Sequence, residues 1–533
     1  MTSSHQARRR LWAVATVLAL AAFTSACGGG SDTSSGGSGE SGEPQVGGVL
    51  KVGVASAVTT LDPAKGSANA MALSGYAIYD TLMKVDKLGD TPQPQIAESL
   101  ESNADFTQWT MKLPTGLKFS DDTPFNAAAV KFNMDRHIDP STASTAASLL
   151  SSVESVEAPD DTTVIFNLKY PFANLPYVLS YDGSGTAGYI ASPTALQTYG
   201  DDYTAHAAGL GPYKVKSWSA GSDIVLERNP NYWNTAEQEP YLDEIDIKTI
   251  EDEQARYSAL QSGDIDYAPS INPTIMTQAE SNSQIQVVHG VGSDQDSIAL
   301  NMTHAPFDDI RVRQAISYAL NREEIVDLTK EGLAEPAVNL FPATDPYAND
   351  NSDPEFDLDK AKALVAEYEA DTGKKVEFTY MCRPTVNTTE VVERQLAAAG
   401  MTVKIDVQES TTAVANFIGG KYDAACWTMA GFLTPDLLPY RFFYSTGDLN
   451  STGFNDPEFD SLADQARQTA DPAKQKELWV AADKILTEEL PWVWVTSQPI
   501  AFLARSNVHS VDLDEPSRLR YSVPTVNNVW LSE

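Results

Sequence analysis

The chain has little positive charge. Over 533 residues it carries 37 Lys and Arg against 73 Asp and Glu, a formal net charge of −36. Nucleic acids and anionic membranes bind clustered positive charge, so this balance argues against both as partners. Histidine is also scarce: the six residues are scattered singly, which leaves a His-rich metal site without local support. We therefore expect no metal and no cofactor.

Long apolar runs and catalytic motifs are missing too. Beyond the extreme N-terminus no uninterrupted apolar run exists, which excludes a protein with several membrane-spanning helices. The chain contains no His-Glu-x-x-His, no phosphate-binding P-loop and no Gly-x-Ser-x-Gly. What is present is an ordinary globular composition, 42% hydrophobic and 21% charged, long enough for two to four structural units. A non-enzymatic protein is the first expectation, and a secreted hydrolase is a distant alternative.

The N-terminus has the pattern of an export signal. Three arginines at residues 8–10 precede a 13-residue apolar segment at 11–23, and Cys27 follows two small residues. A helix of that length spans only about 20 Å, too short for a hydrocarbon core of about 30 Å. The segment resembles a bacterial lipobox, which implies a signal peptide over residues 1–26 and a lipid on Cys27. The Sec and twin-arginine routes both remain open.

Residues 27–46 are predicted to be a flexible linker, because they consist almost entirely of Gly, Ser and acidic residues. A folded domain held by one N-terminal lipid needs such a spacer, and ordinary secretion with a disordered N-terminus is the alternative. Besides Cys27, the chain has only Cys382 and Cys426. An oxidising compartment permits a disulfide between them, but the sequence leaves the pairing open.

From about residue 297 helices and strands alternate. Asp308 or Asp309 is predicted to cap one helix, and Asn321 with Glu324 forms the capping box of the next. Strands near 376–380, 403–407 and 422–427 are separated by helices at 389–399 and 412–418. This β-α-β-α-β order predicts a parallel sheet.

Ligands of open α/β sheets lie beyond the carboxyl ends of the strands, and two segments meet that condition. Arg383 follows the first of these strands and could bind a carboxylate or phosphate, or else form a structural ion pair. Trp427 closes the third strand and could offer a ring wall, or else belong to the core.

Several motifs, taken in their order along the chain, resemble those of a known family. Thr60-Leu61-Asp62-Pro63 follows a β run near the start of the mature chain, and Gly211-Pro212-Tyr213-Lys214-Val215 runs on to Arg228-Asn229-Pro230-Asn231-Tyr232-Trp233. Asn301 then precedes Pro306-Phe307-Asp308-Asp309-Ile310-Arg311. The chain resembles the peptide-type class of extracellular solute-binding proteins of ABC importers, whose members include dipeptide-, oligopeptide- and nickel-binding proteins.

The resemblance implies an α/β, two-lobed periplasmic-binding-protein-like fold with a hinge, plus an inserted α+β subdomain in lobe I. Lobe I would combine residues 47–79, 207–295 and 499–533, the inserted subdomain would span 80–206, and lobe II would span 296–498. Closure of the two lobes around a buried solute would present a shaped surface to the permease.

The resemblance also implies ligand contacts, carried over position by position. Cys382-Arg383-Pro384 matches a stretch whose arginine takes a peptide carboxylate in dipeptide-binding relatives. Ala430 stands where those relatives place the aspartate for the α-amino group, and Asp436 is the nearest possible substitute. The further expected ligand contacts are Ser67, Asn69 and Met71 in lobe I, and Trp427, Met429 and Phe432 in lobe II.

The implied function is that of a receptor that binds a peptide or peptide-like solute for an ABC importer. A non-peptide solute, such as an oligosaccharide or another small molecule, is the alternative, and the nickel-binding role lacks a His near the site. Expected partners are the solute and the permease subunits. We expect a monomer, without nucleic acid, held at the outer face of the cell membrane through the lipid alone, or periplasmic.

Overall fold

The computed structural model describes most of the chain beyond the predicted linker: residues 43–67, 70–86, 88–180, 185–234, 239–290, 293–384, 386–509 and 528–532. The predicted signal peptide, Cys27 and Asn69 lie outside the described residues. Within the described part, no helix is both long and apolar enough to cross a membrane.

The first large sheet has seven strands drawn from widely separated parts of the chain. Val49–Val54 pairs in parallel with Glu244–Thr249 and with Tyr267–Ser270, and the remaining pairings are antiparallel. Three helices lie between its strands in the chain: Ala72–Tyr79, Glu253–Ser262 and Pro273–Glu280. The order across the sheet is Ile285–Gly290, Ile500–Arg505, Tyr267–Ser270, Val49–Val54, Glu244–Thr249, Asp223–Arg228 and Tyr213–Ser219.

A smaller antiparallel sheet of four strands forms inside the segment expected to be inserted. Its order is Ser99–Ser102, Gln108–Lys112, Thr163–Leu168 and Val153–Asp160. The helix Ala127–Ile138 starts at Asn126, whose side chain accepts a hydrogen bond from the Ala129 amide. Alternate residues of the strands pack with this helix in a separate hydrophobic core. Two short helices follow in the chain, Leu175–Val178 and Pro193–Tyr199.

The third sheet has five strands and contains the predicted parallel unit. Glu377–Cys382 pairs in parallel with Thr402–Val407 and with Ala424–Met429, and helices Thr389–Ala398 and Ser410–Ile418 make the connections, so the β-α-β-α-β prediction is confirmed. Gln295–Leu300 pairs antiparallel with Ala424–Met429 on one side and with Trp492–Ser497, the edge strand, on the other.

The helices around this sheet begin where the sequence places the caps. Asp309 caps Ile310–Ala319 and Asn321 caps Arg322–Lys330, each by accepting a backbone N–H bond. Leu358–Thr372 ends at Gly373, whose φ of +69° is a left-handed conformation suited to glycine. Three further helices complete the lobe: Leu438–Phe443, Pro457–Arg467 and Pro472–Glu489.

The chain passes twice between the seven-stranded and the five-stranded sheet. The first passage leads from Ile285–Gly290 to Gln295–Leu300, and the second leads from Trp492–Ser497 to Ile500–Arg505. The two passages lie side by side, because the Gln498 amide donates to the Asp294 carbonyl at 2.8 Å. The predicted two-lobed α/β architecture is confirmed, and this pair of short connections is where a hinge is expected.

Candidate functional site

Arg383 lies one residue beyond the strand Glu377–Cys382, at the carboxyl edge of the parallel unit. Its side chain is half-buried, its Nε is buried without a hydrogen-bond partner, and its guanidinium pairs with no carboxylate in the described part of the chain. Burial lowers the pKa of Arg383, while the charge of Asp296 acts in the opposite direction. A desolvated, unpaired guanidinium of this kind is suited to bind an anionic group.

Trp427 stands beside Arg383 and is held rigidly. The Arg383 Cζ lies 5.4 Å from the centroid of the indole ring. On the helix Ser410–Ile418, Phe417 stacks on that ring with a centroid separation of 3.7 Å. Sequence reasoning did not single out Phe417, although its place on the apolar side of the predicted helix is the signal that would have found it.

A disulfide joins the two strands that carry this pair of side chains. Cys382 and Cys426 are bonded, with their Cα atoms 4.9 Å apart. The neighbouring residues Met381 and Ala425 are partners in the parallel ladder. The bridge therefore lies directly before Arg383 and Trp427 in the chain and fixes the spacing of their backbones.

Behind Arg383 lies a buried ion pair that the sequence did not predict. Lys330 Nζ lies 2.9 Å from Asp296 Oδ2, and both side chains are almost completely buried. The other oxygen of Asp296 accepts bonds from the Thr428 hydroxyl at 2.8 Å and from the Gln498 amide at 2.6 Å. Both oxygens of Asp296 are thus engaged, and Asp296 connects Gln498 of the second interlobe passage to Thr428, the residue after Trp427.

Three residues expected to contact the ligand are buried in the cores of the two lobes. Met71 is 0% exposed and packs in the core of the seven-stranded lobe. Met429 and Phe432 are buried in the second core of the five-stranded lobe, where the Phe432 ring meets that of Phe341. All three side chains are buried in this structure, and their contact with a ligand stays a prediction. Ser67 is exposed, and its carbonyl accepts the Met71 amide at 2.9 Å.

Asp436 is not a free carboxylate in the position of the missing aspartate. It is buried and accepts a hydrogen bond from the Asn174 amide, which belongs to the inserted subdomain. Burial raises the pKa of Asp436 to about 6, although the charge of Arg467 and hydrogen bonds including that from Asn174 oppose the rise. Its role in this structure is to connect two parts of the molecule, so the expected substitution for Ala430 is not supported.

The arrangement has the features of a solute-binding site. A single unpaired guanidinium and an aromatic wall converge at the carboxyl edge of the parallel strands, next to the interlobe passages. Among the described residues, no three His, Cys, Asp or Glu side chains are grouped so that they could hold a metal ion. Such a site recognises an anionic group and provides a flat apolar surface beside it.

Comparison with known proteins identifies the family. The profile of the bacterial extracellular solute-binding proteins, family 5 Middle, matches residues 91–451. The chain therefore belongs to this family of solute-binding proteins, as the motifs predicted, and it has the receptor role of the class that serves ABC importers.

Individual relatives are similar to this protein over most of the chain. The glutathione-binding protein GsiB of Escherichia coli (strain K12) is 28% identical over 460 residues, which is 83% of this chain and 87% of that protein. The oligopeptide-binding protein AppA from Bacillus subtilis, in complex with a nonapeptide, has a TM-score of 0.78 and 25% identity, and the match covers 92% of this chain and all of AppA. AgaA of Agrobacterium tumefaciens R10, in complex with agropinic acid, shares the fold with a TM-score of 0.78 at 24% identity, covering 91% of this chain and 99% of AgaA.

Proposed function

We propose that this receptor captures a peptide or peptide-like solute through a carboxylate and delivers it to the permease subunits of an ABC importer. The observation that carries the proposal is the half-buried guanidinium of Arg383, which lies against Trp427 and has no hydrogen-bond or ion-pair partner among the described residues. A carboxylate can accept two parallel N–H bonds from such a guanidinium, which satisfies donors that the fold leaves unpaired. The nonapeptide in AppA and the name of GsiB support this solute class.

The amino end of the solute is held differently from a dipeptide in the usual mode. Ala430 provides no carboxylate, and Asp436 is engaged with Asn174. A buried ammonium without a carboxylate partner costs several kcal/mol. Recognition therefore rests on the carboxylate end, so a carboxylated non-peptide solute is the second candidate. The agropinic acid in AgaA shows that this fold accommodates such a molecule.

Native mass spectrometry of residues 28–533, purified without denaturation, tests the solute class. A bound molecule that fragments into amino acids supports the peptide proposal. A carboxylated molecule without amino acids supports the second candidate, and a neutral sugar contradicts both. We propose no catalysis, so the mass of the released solute stays constant on prolonged incubation with the protein.

The variant Arg383→Gln tests the anchoring residue directly. The loss of charge-assisted hydrogen bonds, about 1.5–3 kcal/mol, predicts an affinity roughly 10- to 150-fold weaker for the captured solute. Isothermal titration calorimetry measures this loss. Arg394→Gln is the matched control, because Arg394 lies at the surface in an exposed pair with Glu324. Equal affinities for Arg383→Gln and the unmodified protein would remove Arg383 from the site.

We also propose that the mature protein is a monomer held at the outer face of the membrane by a lipid on Cys27. The lipobox-like sequence and the Gly- and Ser-rich residues that follow it support this. In cells fed an alkyne fatty acid, the protein should become labelled, and the Cys27→Ser variant should not. Equal labelling of both proteins would contradict the assignment of Cys27.

A further inference from the structure

A cavity lies where the inserted subdomain meets the five-stranded lobe. Its volume is about 540 Å³, and neither Arg383 nor Trp427 is among its lining residues. The subdomain contributes polar and aromatic groups that include Ser148, Ser151 and Tyr170, and the other lobe contributes Tyr440 and Arg467 among others. Because both parts form its walls, the cavity exists in this shape only when they are together.

Arg467 places a buried positive charge in the wall of this cavity. It is 7% exposed, so its guanidinium has been taken almost completely out of water. Aromatic rings surround it, with its Cζ 3.8 Å from the ring centroid of Tyr440 and 4.7 Å from that of Phe172. Its Nε is buried without a hydrogen-bond partner, and its guanidinium forms no ion pair within the described ranges. A buried charge of this kind normally has a partner.

Two of the three acidic side chains that line the cavity are engaged with other residues. Asp464 accepts bonds from the hydroxyls of Tyr440, at 3.2 Å, and Tyr444, at 3.0 Å. Asp448 forms a two-pronged ion pair with Arg441, at 2.9 and 2.7 Å. The third carboxylate, Asp436, lies close enough to feel the Arg467 charge but forms no ion pair with it. Its Oδ2 accepts from Asn174, and its Oδ1 is buried without a hydrogen-bond partner.

We infer that this cavity is an anion site, separate from the solute site, which binds a small molecule through a carboxylate or phosphate group placed against Arg467. The terminal guanidinium nitrogens provide the donors. Hydroxyl groups from Ser148 and Ser151 on the opposite wall lie within the same cavity. The inference goes beyond the proposed function and does not depend on it.

An occupant of this cavity would favour the closed arrangement of the molecule. Arg467 already connects the two walls, since its carbonyl accepts the Ala173 amide at 2.8 Å. Gln475 adds a bond to Asn174 at 3.1 Å. A ligand that touches both walls binds only the closed state, so it shifts the population toward that state. The anion would thus act on lobe closure from a distance, not by contact with the imported solute.

Titration of residues 28–533 with citrate and with inorganic phosphate tests the inference, against sodium chloride at equal ionic strength. We expect at least one of the two anions to raise the unfolding temperature in a saturable way. Citrate alone would indicate a carboxylate ligand, and phosphate alone would indicate a phosphate ligand. Arg467→Gln should weaken the effect at least 10-fold, and Arg394→Gln should leave it intact. No saturable effect of either anion, or an equal effect in Arg467→Gln, would overturn the inference.

Two further measurements keep the test independent of folding defects and of the solute site. Hydrogen exchange of the unmodified protein with the active anion should become slower in segments 144–151 and 436–468, and slowing confined to other segments contradicts the inference. Arg383→Gln should lose solute affinity while its anion response persists. Loss of both responses in this variant would place the anion at Arg383 instead.

Discussion

Arg322 and Asp353 show how this molecule treats a buried charge whose purpose is structural. The side chains are 6% and 0% exposed, and Arg322 Nη2 lies 3.3 Å from Asp353 Oδ2. Further bonds run from Arg322 to the Trp494 carbonyl and from the Trp494 amide to Asp353. Within the part of the chain that the structure describes, Arg383 and Arg467 have no ion-pair partner, although burial is substantial at both. We therefore interpret a buried arginine with a carboxylate partner as stabilising, and one without such a partner as placed to bind a ligand.

Replacement of Arg322 by Met should destabilise the protein by about 3–5 kcal/mol, because Asp353 stays buried without its counter-charge. Burial already raises the pKa of Asp353 to about 7 despite the Arg322 charge. Urea unfolding followed by fluorescence measures the change. Arg394→Met, at an exposed ion pair, is the control and should change stability by less than about 1 kcal/mol. A loss for Arg322→Met no larger than that of the control would contradict the argument.

At the scale of elements, the disulfide between Cys382 and Cys426 constrains two neighbouring strand ends. The cysteines are 44 residues apart, and closing a loop of that length removes about 4 kcal/mol of entropy from the unfolded chain in the loop-closure model. We expect Cys382→Ala combined with Cys426→Ala to lower stability by about 2–4 kcal/mol. Solute affinity should fall too, since Arg383 and Trp427 follow the bridge directly.

Thiol counting under denaturing conditions and calorimetry of the double variant check this prediction. Cys27 is absent from the protein 28–533, so that protein should contain no free thiol before reduction. Two free thiols, or unchanged stability in the double variant, would show that the bridge does not form or does not stabilise the fold.

Local chemistry made several elements predictable. Asp309, Asn321 and Gly373 act within one helical turn, so the sequence alone places these helix ends. The parallel order of Glu377–Cys382 with its neighbours follows from the alternation of helix and strand, because crossovers force that pairing.

Contacts between distant residues could not be predicted in the same way. Asn174 donates a hydrogen bond to Asp436, which is 262 residues away in the sequence, and no periodicity or spacing in the sequence predicts that contact. Arg383 was found because strand ends are a general ligand position, whereas no motif in the sequence marks Arg467, which ends the helix Pro457–Arg467. The burial of Met71 was not predictable either, because a loop position in the sequence does not show which side chain packs beneath the backbone.

For the whole molecule, buried carboxyls predict an unusual dependence of stability on pH. Burial raises the pKa of Asp80 in lobe I to about 6, that of Asp353 in lobe II to about 7, and that of Asp436 between the subdomain and lobe II to about 6. Each group binds a proton more tightly in the folded state than in the unfolded chain. The stabilisation that these protonated carboxyls add to the free energy of unfolding is therefore fully present below the ordinary carboxyl pKa of about 4. It is lost as pH rises through 6 to 7. The large negative net charge acts in the same direction.

The free energy of unfolding should accordingly increase when pH falls from 7.5 to 5, and Asp436→Asn isolates one part of that increase. The neutral amide cannot titrate, so this variant should lose about 1 kcal/mol of the rise. Urea unfolding at both pH values measures it. Asp327→Asn is the matched control, because Asp327 is an exposed acid whose removal changes the net charge equally. If both variants reduce the rise by the same amount, general charge repulsion explains the effect; a larger reduction in Asp436→Asn locates it in the buried carboxyl between the subdomain and lobe II.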